Sequence, residues 1–310
     1  ITGSAKTLSE LKDQSTYSEW GIGKEKYWEV DSNTSLLMPS TMNCGGQFPN
    51  TITASASLSG SGSDGDPYQI TGVGDLAAMA ANLSASYILT SDIDVTEECY
   101  KWAPIGSDAS PFTGKLYGNS KSILGLGINV AANGLGLFGE IEAGLVQNLN
   151  LSMRIHLFDA HRTATSVTEI GVLAGKISSG STISNVTVAG NIFKHNGLEV
   201  GGIAGEVNSS TLQNSIVSYV NILSEENRNG SIAGFLSGST LDEGSVYASY
   251  VQGDYGTGGA VGTASNTSTI SNSNSRSAAI SNHSSRSQIG GLSGSISWSS
   301  VSNSYATGNA

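Results

Sequence analysis

Apolar and polar residues alternate in short runs along the second half of the chain. Thr182-Ile183-Ser184-Asn185-Val186-Thr187-Val188, Thr211-Leu212-Gln213-Asn214-Ser215-Ile216-Val217, Thr269-Ile270-Ser271-Asn272-Ser273 and Val301-Ser302-Asn303-Ser304-Tyr305 each set apolar or β-branched residues between polar ones. A period of two turns alternate side chains to opposite faces, the pattern of half-buried strands. Glycine and serine cut these runs every few residues, and no helix-length apolar stripe lies among them.

A glycine-flanked phrase recurs in step with these strands. It begins at Gly134-Leu135-Gly136-Leu137-Phe138-Gly139 and returns with closing glycines at Gly175, Gly205, Gly234, Gly262 and Gly294. The steps between closing glycines are 36, 30, 29, 28 and 32 residues. A near-constant period of this size marks a repeat architecture, in which a single copy cannot bury its own apolar face and copies must stack. The expected fold is all-β, a parallel β-helix whose coils pair in parallel, right-handed by the general preference of parallel crossovers. The glycines are expected at the corners. Asn148, Asn185, Asn214, Asn272 and Asn303 occupy matching places, where inward amides are expected to bond coil to coil. Leu241-Asp242-Glu243-Gly244 departs from the pattern in the fourth repeat, so the ladder is expected to break or bulge there.

The phrase and its asparagine-bearing strand resemble the GLUG repeat of large secreted and surface-attached bacterial proteins, many of them adhesin-like. The resemblance covers residues 134–310, and residues 65–133 are similar to the lead-in that precedes such repeats. It implies an extended scaffold outside the cell, at the cell surface or secreted, and it brings no catalytic residue with it. The reading is therefore of a non-enzyme that stacks end to end with a neighbouring module or a copy of itself. Alternatives are a subunit of a self-assembling extracellular filament and a glycan-binding or polysaccharide-degrading β-helix.

The first 64 residues differ from the repeats. Residues 1–50 hold a Thr7-Leu8-Ser9-Glu10 capping box and an aromatic segment with Tyr17, Trp20, Tyr27 and Trp28, and they are read as a cap or docking segment. Residues 51–64 have linker composition. Beyond them, Asp75 stands near a predicted helix start, and Leu76, Met79, Ala80 and Leu83 share one face of a helix expected to cap the first coil. The opening Ile1-Thr2-Gly3-Ser4 lacks the leader of a signal peptide, which suggests a mature chain or one cut from a longer protein. Insertions at 157–168, 193–199 and 224–228 are expected to project from the coils as binding loops.

Charge narrows the partners. The net charge of −11, with only 13% charged residues, argues against nucleic acid, which needs cations to displace condensed counterions. No apolar run is long enough for a transmembrane helix. The two cysteines, Cys44 and Cys99, have no metal-ligand spacing, and a disulfide between them would suit an exported protein.

Catalytic and metal chemistry finds little support in the sequence. Asp92 and Asp94, with Asp64 and Asp66, are candidate calcium ligands, but no complete calcium loop surrounds them, and solvated or turn-bonded carboxylates are expected instead. His156, His161, His195 and His283 are expected in exposed loops. Glu140, Glu142, Glu206, Asp242 and Glu243 are the carboxylates a glycan-cleaving enzyme would draw on, and they show no consistent offset between repeats. Tyr247, Tyr250, Tyr255, Trp298 and Tyr305 are aromatic candidates for stacking on sugars, although most are expected to fill coil corners or the core.

Overall fold

A computed structural model describes residues 28–30, 37–39, 48–129, 132–157, 169–193, 199–224, 227–253, 255–281 and 288–308. They form a right-handed parallel β-solenoid of about seven turns. Three parallel sheets run along its axis. The first begins with the long strands Lys115–Ile128, Leu145–His156 and Thr182–Phe193, and continues through Thr211–Gln213 with Ile216–Leu223 and their equivalents to Tyr305–Ala306. The second has five short strands, from Glu169–Ile170 through Glu199–Gly201 and Asn229–Gly230 to Ile289–Gly290. The third has six, from Phe138–Glu142 through Ala174–Ser178, Ala204–Asn208, Ala233–Ser237 and Val261–Ser265 to Ser293–Ile296.

The period-two pattern drives this arrangement. Leu116, Val146, Ile183, Leu212, Leu241 and Ile270 are paired in register from coil to coil, and all are sealed from solvent. Each such side chain contributes roughly 1.5–3 kcal/mol by burial, and it obtains that burial only from the coils above and below. Towards the N-terminal end the interior widens for aromatic rings. Tyr68, Tyr87, Phe112 and Phe138 stack with centroid separations of 5.7, 6.3 and 4.7 Å. Trp102 is buried beside them, its indole N–H donating to the Leu137 carbonyl at 3.0 Å.

The closing glycines align along the axis, since their neighbours Phe138, Ala174, Ala204, Ala233, Val261 and Ser293 pair in register. They do not mark corners. They lie within the strands of the third sheet, where the second sheet comes too close for a side chain: a Cβ at Gly205 would stand 2.4 Å from the Ile170 nitrogen. The asparagines hold a corner instead. Asn148, Asn185, Asn214, Asn272 and Asn303 have φ between 45 and 56°, the left-handed region that asparagine tolerates better than most residues.

Their amides form a ladder, but one that faces outward rather than inward. Asn185 donates to Asn148 at 3.0 Å, Asn214 to Asn185 at 2.6 Å, and Asn303 to Asn272 at 3.3 Å. In the fourth repeat the backbone does not bulge. Glu243 takes the corner conformation with φ 54°, and the flanking strands stay in register. Only the side-chain chain is rerouted, with Asn272 donating to the Asp242 carboxylate at 2.9 Å.

Inward polar bonding at the corners is carried by serine. Ser210 N–H donates to Ser239 Oγ at 3.1 Å, Ser239 N–H to Ser268 Oγ at 3.2 Å, and Ser268 N–H to Ser299 Oγ at 3.2 Å. Each of those hydroxyls also donates to a carbonyl of its own coil, at 2.6 to 3.0 Å. A second column repeats the device with Gly244 N–H on Ser273 Oγ and Ser273 N–H on Ser304 Oγ, both at 3.0 Å. Buried backbone groups at a turn need such partners, and a short hydroxyl supplies both a donor and an acceptor.

The first turn is capped as the helix pattern indicates, with a shorter element. An α-helix spans Val73–Ala78 and passes into a 3-10 turn at Met79–Ala81. Leu76 and Met79 are buried, whereas Ala80 faces solvent and Leu83 is half-buried. Asp75 accepts from Thr71 N–H and its hydroxyl at 2.9 and 2.6 Å. Residues 51–64 run along the solenoid, with Asn50–Thr51 pairing in parallel with Tyr100–Lys101 and Lys115 meeting Asp64 at 2.8 Å. Of the expected N-terminal segment, Trp28–Val30 and Leu37–Pro39 form an antiparallel pair and Phe48 is buried; residues 1–27 lie outside the described residues.

Candidate functional site

A trough runs where the second and third sheets meet. Each third-sheet strand turns Ala174, Ala204 or Ala233 inward before its glycine and a larger side chain outward after it. The outward positions pair in register as Glu140, Lys176, Glu206 and Phe235. Across the glycine column, Glu169 pairs with Glu199, and Arg228 follows from the next coil. Asp108, Glu142, Ser179, Asn208 and Ser209 extend one wall around a depression of about 380 Å³.

Charged groups of both signs are thereby pressed together. Lys176 Nζ lies 3.3 Å from Glu140 and 3.5 Å from Asp108, and Ser178 donates to Glu140 at 2.8 Å. Arg228 donates to Glu199 at 2.7 Å, and its guanidinium lies 4.2 Å from the Phe235 ring centroid. Glu140 and Glu199 are 5% and 6% exposed, which for carboxylates requires partners. Burial pushes the Glu199 carboxyl up to about 7; Glu169 and Glu206 add to the rise and Arg228 opposes it. Burial raises Glu140 and Glu206 in the same direction. Lys176 is itself desolvated, yet the surrounding carboxylates, Glu140 foremost, outweigh that and hold its ammonium more firmly than usual. Chemically, the trough offers a carboxyl whose titration is moved up to about 7, set among other carboxyl groups.

Of the carboxylates singled out in the sequence, Glu140 and Glu206 converge here on either side of Lys176 and Glu142 lines the wall. Asp242 and Glu243 lie on the first sheet and its asparagine corner. Glu169, Lys176, Glu199 and Arg228 were not apparent as site residues. Their signal is the offset from the repeat phrase: Glu140, Lys176 and Glu206 each follow a closing glycine, and Glu169, Glu199 and Arg228 each come immediately before the first residue of the next phrase, Ile170, Val200 and Asn229.

The aspartates considered for calcium are dispersed. Asp92 accepts from Ser122 N–H at 2.7 Å and Asp94 from Thr96 at 3.1 and 2.8 Å. Asp64 pairs with Lys115 and Tyr117, while Asp66 is bridged to Ser63. Among the described residues, no group of three or more His, Cys, Asp or Glu could hold a metal ion. Cys99 is disulfide-bonded, and Cys44 lies outside the described residues. His161, His195 and His283 and most of the three insertions also lie outside them, as does the side chain of His156.

The aromatic candidates do not fill the core. Tyr247, Tyr255, Trp298 and Tyr305 are 39%, 41%, 88% and 53% exposed, and Tyr250 is half-buried. Tyr219, which the sequence did not bring forward, is 46% exposed on the same sheet as Tyr250, and Tyr247 lies in the connection just before that strand.

The fold is thus that of a right-handed β-solenoid, and comparison with known proteins agrees. It is similar in structure to "a putative immunoglobulin A1 protease from Bacteroides ovatus", with a TM-score of 0.60 over 80% of this chain and 77% of that one. At 20% identity the likeness is one of fold alone. In sequence the chain is 33% identical over 177 residues to "Halomucin" of Haloquadratum walsbyi, which covers 52% of this chain and 2% of that protein. It is 39% identical over 101 residues to a "Putative Gly-rich membrane protein" of Evansella cellulosilytica, covering 30% of this chain and 12% of that protein. The chain therefore spans a small fraction of both relatives. No protein-family model matches it.

Proposed function

We propose that the chain is a segment of a cell-surface or secreted β-solenoid with a structural and adhesive role and no catalytic one. The observation that carries this reading is the coil-to-coil parallel pairing from Lys115 to Ala306, with local register shifts at Gln147/Leu149, Ser152/Met153 and Val188/Ala189, which makes each coil the cover of its neighbour and the whole an elongated spacer. The resemblance of its phrase to GLUG repeats supports an outer-surface location, as do the names of its relatives, "Halomucin" and a "Putative Gly-rich membrane protein".

End-to-end stacking is part of the same reading. The last described coil leaves Ile296 and Val301 47% and 39% exposed, whereas Ala264 and Ile270, their partners one coil earlier, are sealed at 0%. A further β-coil fits that face, whether it follows in a longer chain or comes from a neighbouring copy, and in the second case the product is an extracellular filament. Electron microscopy of the purified chain, with antibody labelling of intact cells, tests the proposal. Rods or filaments and labelling without permeabilisation are expected; globular particles, or labelling only after permeabilisation, overturn it.

Glu199 favours a second reading, glycan cleavage in the trough, because its carboxyl is poised as a proton donor beside other carboxylates. That reading requires release of reducing ends from a polysaccharide, and loss of the release in Glu199→Gln.

A further inference from the structure

On the half of the first sheet that follows the asparagine corner, outward positions carry tyrosine, amide and hydroxyl side chains. Asn191 pairs in register with Asn221, and Asn221 with Tyr250. Tyr219 stands two residues before Asn221 on the same strand, so its ring is diagonal to that of Tyr250 on the next coil. Coils in a parallel sheet are about 4.8 Å apart, so these side chains stand on adjacent rungs, Tyr219 at the point where pairing with the preceding coil shifts register after Val188.

The side chains are held in place. Asn221 Nδ2 donates to Asn191 Oδ1 at 3.0 Å and to the Tyr219 hydroxyl at 3.2 Å, and the Tyr250 hydroxyl donates to Gln252 Oε1 at 3.0 Å. Arg276 lies 5.5 Å from the Tyr247 ring centroid at the edge of the same face. From Thr187 to Ala278, no described outward position on this half of the sheet is a carboxylate, although the chain as a whole carries a net charge of −11.

We propose that this face, centred on Tyr219, Asn221 and Tyr250, is a docking platform for a glycan chain. A sugar ring has an apolar C–H face and a rim of hydroxyls. Exposed tyrosine rings accept the first, and amides already fixed by hydrogen bonds accept the second without ordering cost. A protein partner would require about 800 Å² of contact on each side with an apolar centre, whereas here the rings stand among hydroxyls and amides. Nucleic acid would require several cations, and among the described residues the cations beside Asn191, Asn221 and Tyr250 are Arg154, in register with Asn191, and Arg276 at the edge. The platform names the partner class for the adhesive role proposed above and rests on it, but it uses a different face from the carboxylate trough.

Affinity electrophoresis of the intact chain through gels containing xylan, a mixed-linkage β-glucan or alginate tests the inference. At least one polymer is expected to retard the wild-type chain. The double variant Tyr219→Ala/Tyr250→Ala should lose at least tenfold in affinity, and Tyr219→Phe/Tyr250→Phe should keep most of it. All three proteins should share one circular-dichroism spectrum and remain rods by electron microscopy, because the exchanged rings are not core residues. Absence of retardation by every polymer, or equal retardation of the alanine variant, overturns the platform while leaving the scaffold reading intact. Self-association of the wild type that the alanine variant lacks would assign the face to a second copy and overturn it as well.

Discussion

Arg228 reaches back one coil to Glu199, 2.7 Å away, while its guanidinium rests 4.2 Å from the centre of the Phe235 ring. One side chain thereby ties three segments of two successive coils at the rim of the trough. The ion pair is nearly shut off from water on the Glu199 side, so the carboxylate loses solvation that a single guanidinium only partly restores. That imbalance holds a proton on Glu199 near neutrality, and it makes the trough the pH-sensitive part of the solenoid.

Stability is expected to fall as pH rises from about 4.5 to about 7. Over that interval the unfolded chain has released the Glu199 proton and the folded chain still holds it, so the folded state is favoured at the acid end. The loss is about 2–3 kcal/mol for Glu199, and the raised Glu140 and Glu206 act in the same direction. Below the ordinary aspartate range the sign reverses. Asp75, partly desolvated but bonded by Ser55 and Thr71, and Asp242, bonded by Ser271, are held below their usual values and stabilise only while ionised. Urea unfolding across pH 3 to 8 should show a maximum near pH 4–5, and Glu199→Gln should flatten the neutral limb. A wild-type curve that is level from pH 5 to 8 contradicts the assignment.

Asn185→Ala should cost about 1–2 kcal/mol, although the side chain is exposed. Alanine is strained at φ 54°, and the change removes the amide bonds to Asn148 and from Asn214. Asn185→Gly relieves the strain and loses only the exposed bonds, so it should cost less than the alanine change. Urea midpoints of the two variants give the comparison, and a glycine variant no more stable than the alanine one would show that strain at φ 54° is not what the alanine change costs.

Ser239→Ala removes a buried hydroxyl that accepts from Ser210 N–H and donates to the Ser237 carbonyl. An N–H left without a partner in the interior costs about 1–3 kcal/mol. Thr240→Ala, one residue on and facing outward, should stay within about 0.5 kcal/mol. Hydrogen exchange at Ser210 should accelerate in the serine variant; unchanged protection there would remove the serine column from the list of stabilising features.

The coil-to-coil register was legible because it depends on backbone period and apolar spacing alone, as the Ile183, Leu212, Leu241 and Ile270 column illustrates. The roles of glycine and asparagine were exchanged in the sequence reading, since both residues suit turns and composition cannot tell which corner needs φ > 0 and which strand needs close approach. Serine was too abundant for Ser210, Ser239 and Ser268 to stand out, and their function appears only once the turns are stacked. The trough was hidden for a related reason. Glu169 and Glu199 are separated from Glu140 and Lys176 along the chain, and only the packing of two sheets across a glycine column brings them together.

That column sets the last expectation. A Cβ at Gly205 would fall 2.4 Å from the Ile170 nitrogen and 2.8 Å from the Glu199 carbonyl oxygen, and neither backbone atom can rotate away as a side chain would. Overpacking in a tight interior typically costs 1–3 kcal/mol, and an immovable backbone neighbour places Gly205→Ala at about 3 kcal/mol or above. The two sheets must separate locally, so protease sensitivity should rise around Ile170 and Val200 before the remaining coils are affected, as expected where each repeat touches only its neighbours. Gly65→Ala is the matched control, because nothing lies within 4 Å of its added methyl group. If Gly205→Ala is tolerated as well as Gly65→Ala, the second and third sheets are not held at the distance described, and the trough that their approach creates does not have the geometry on which Glu199 depends.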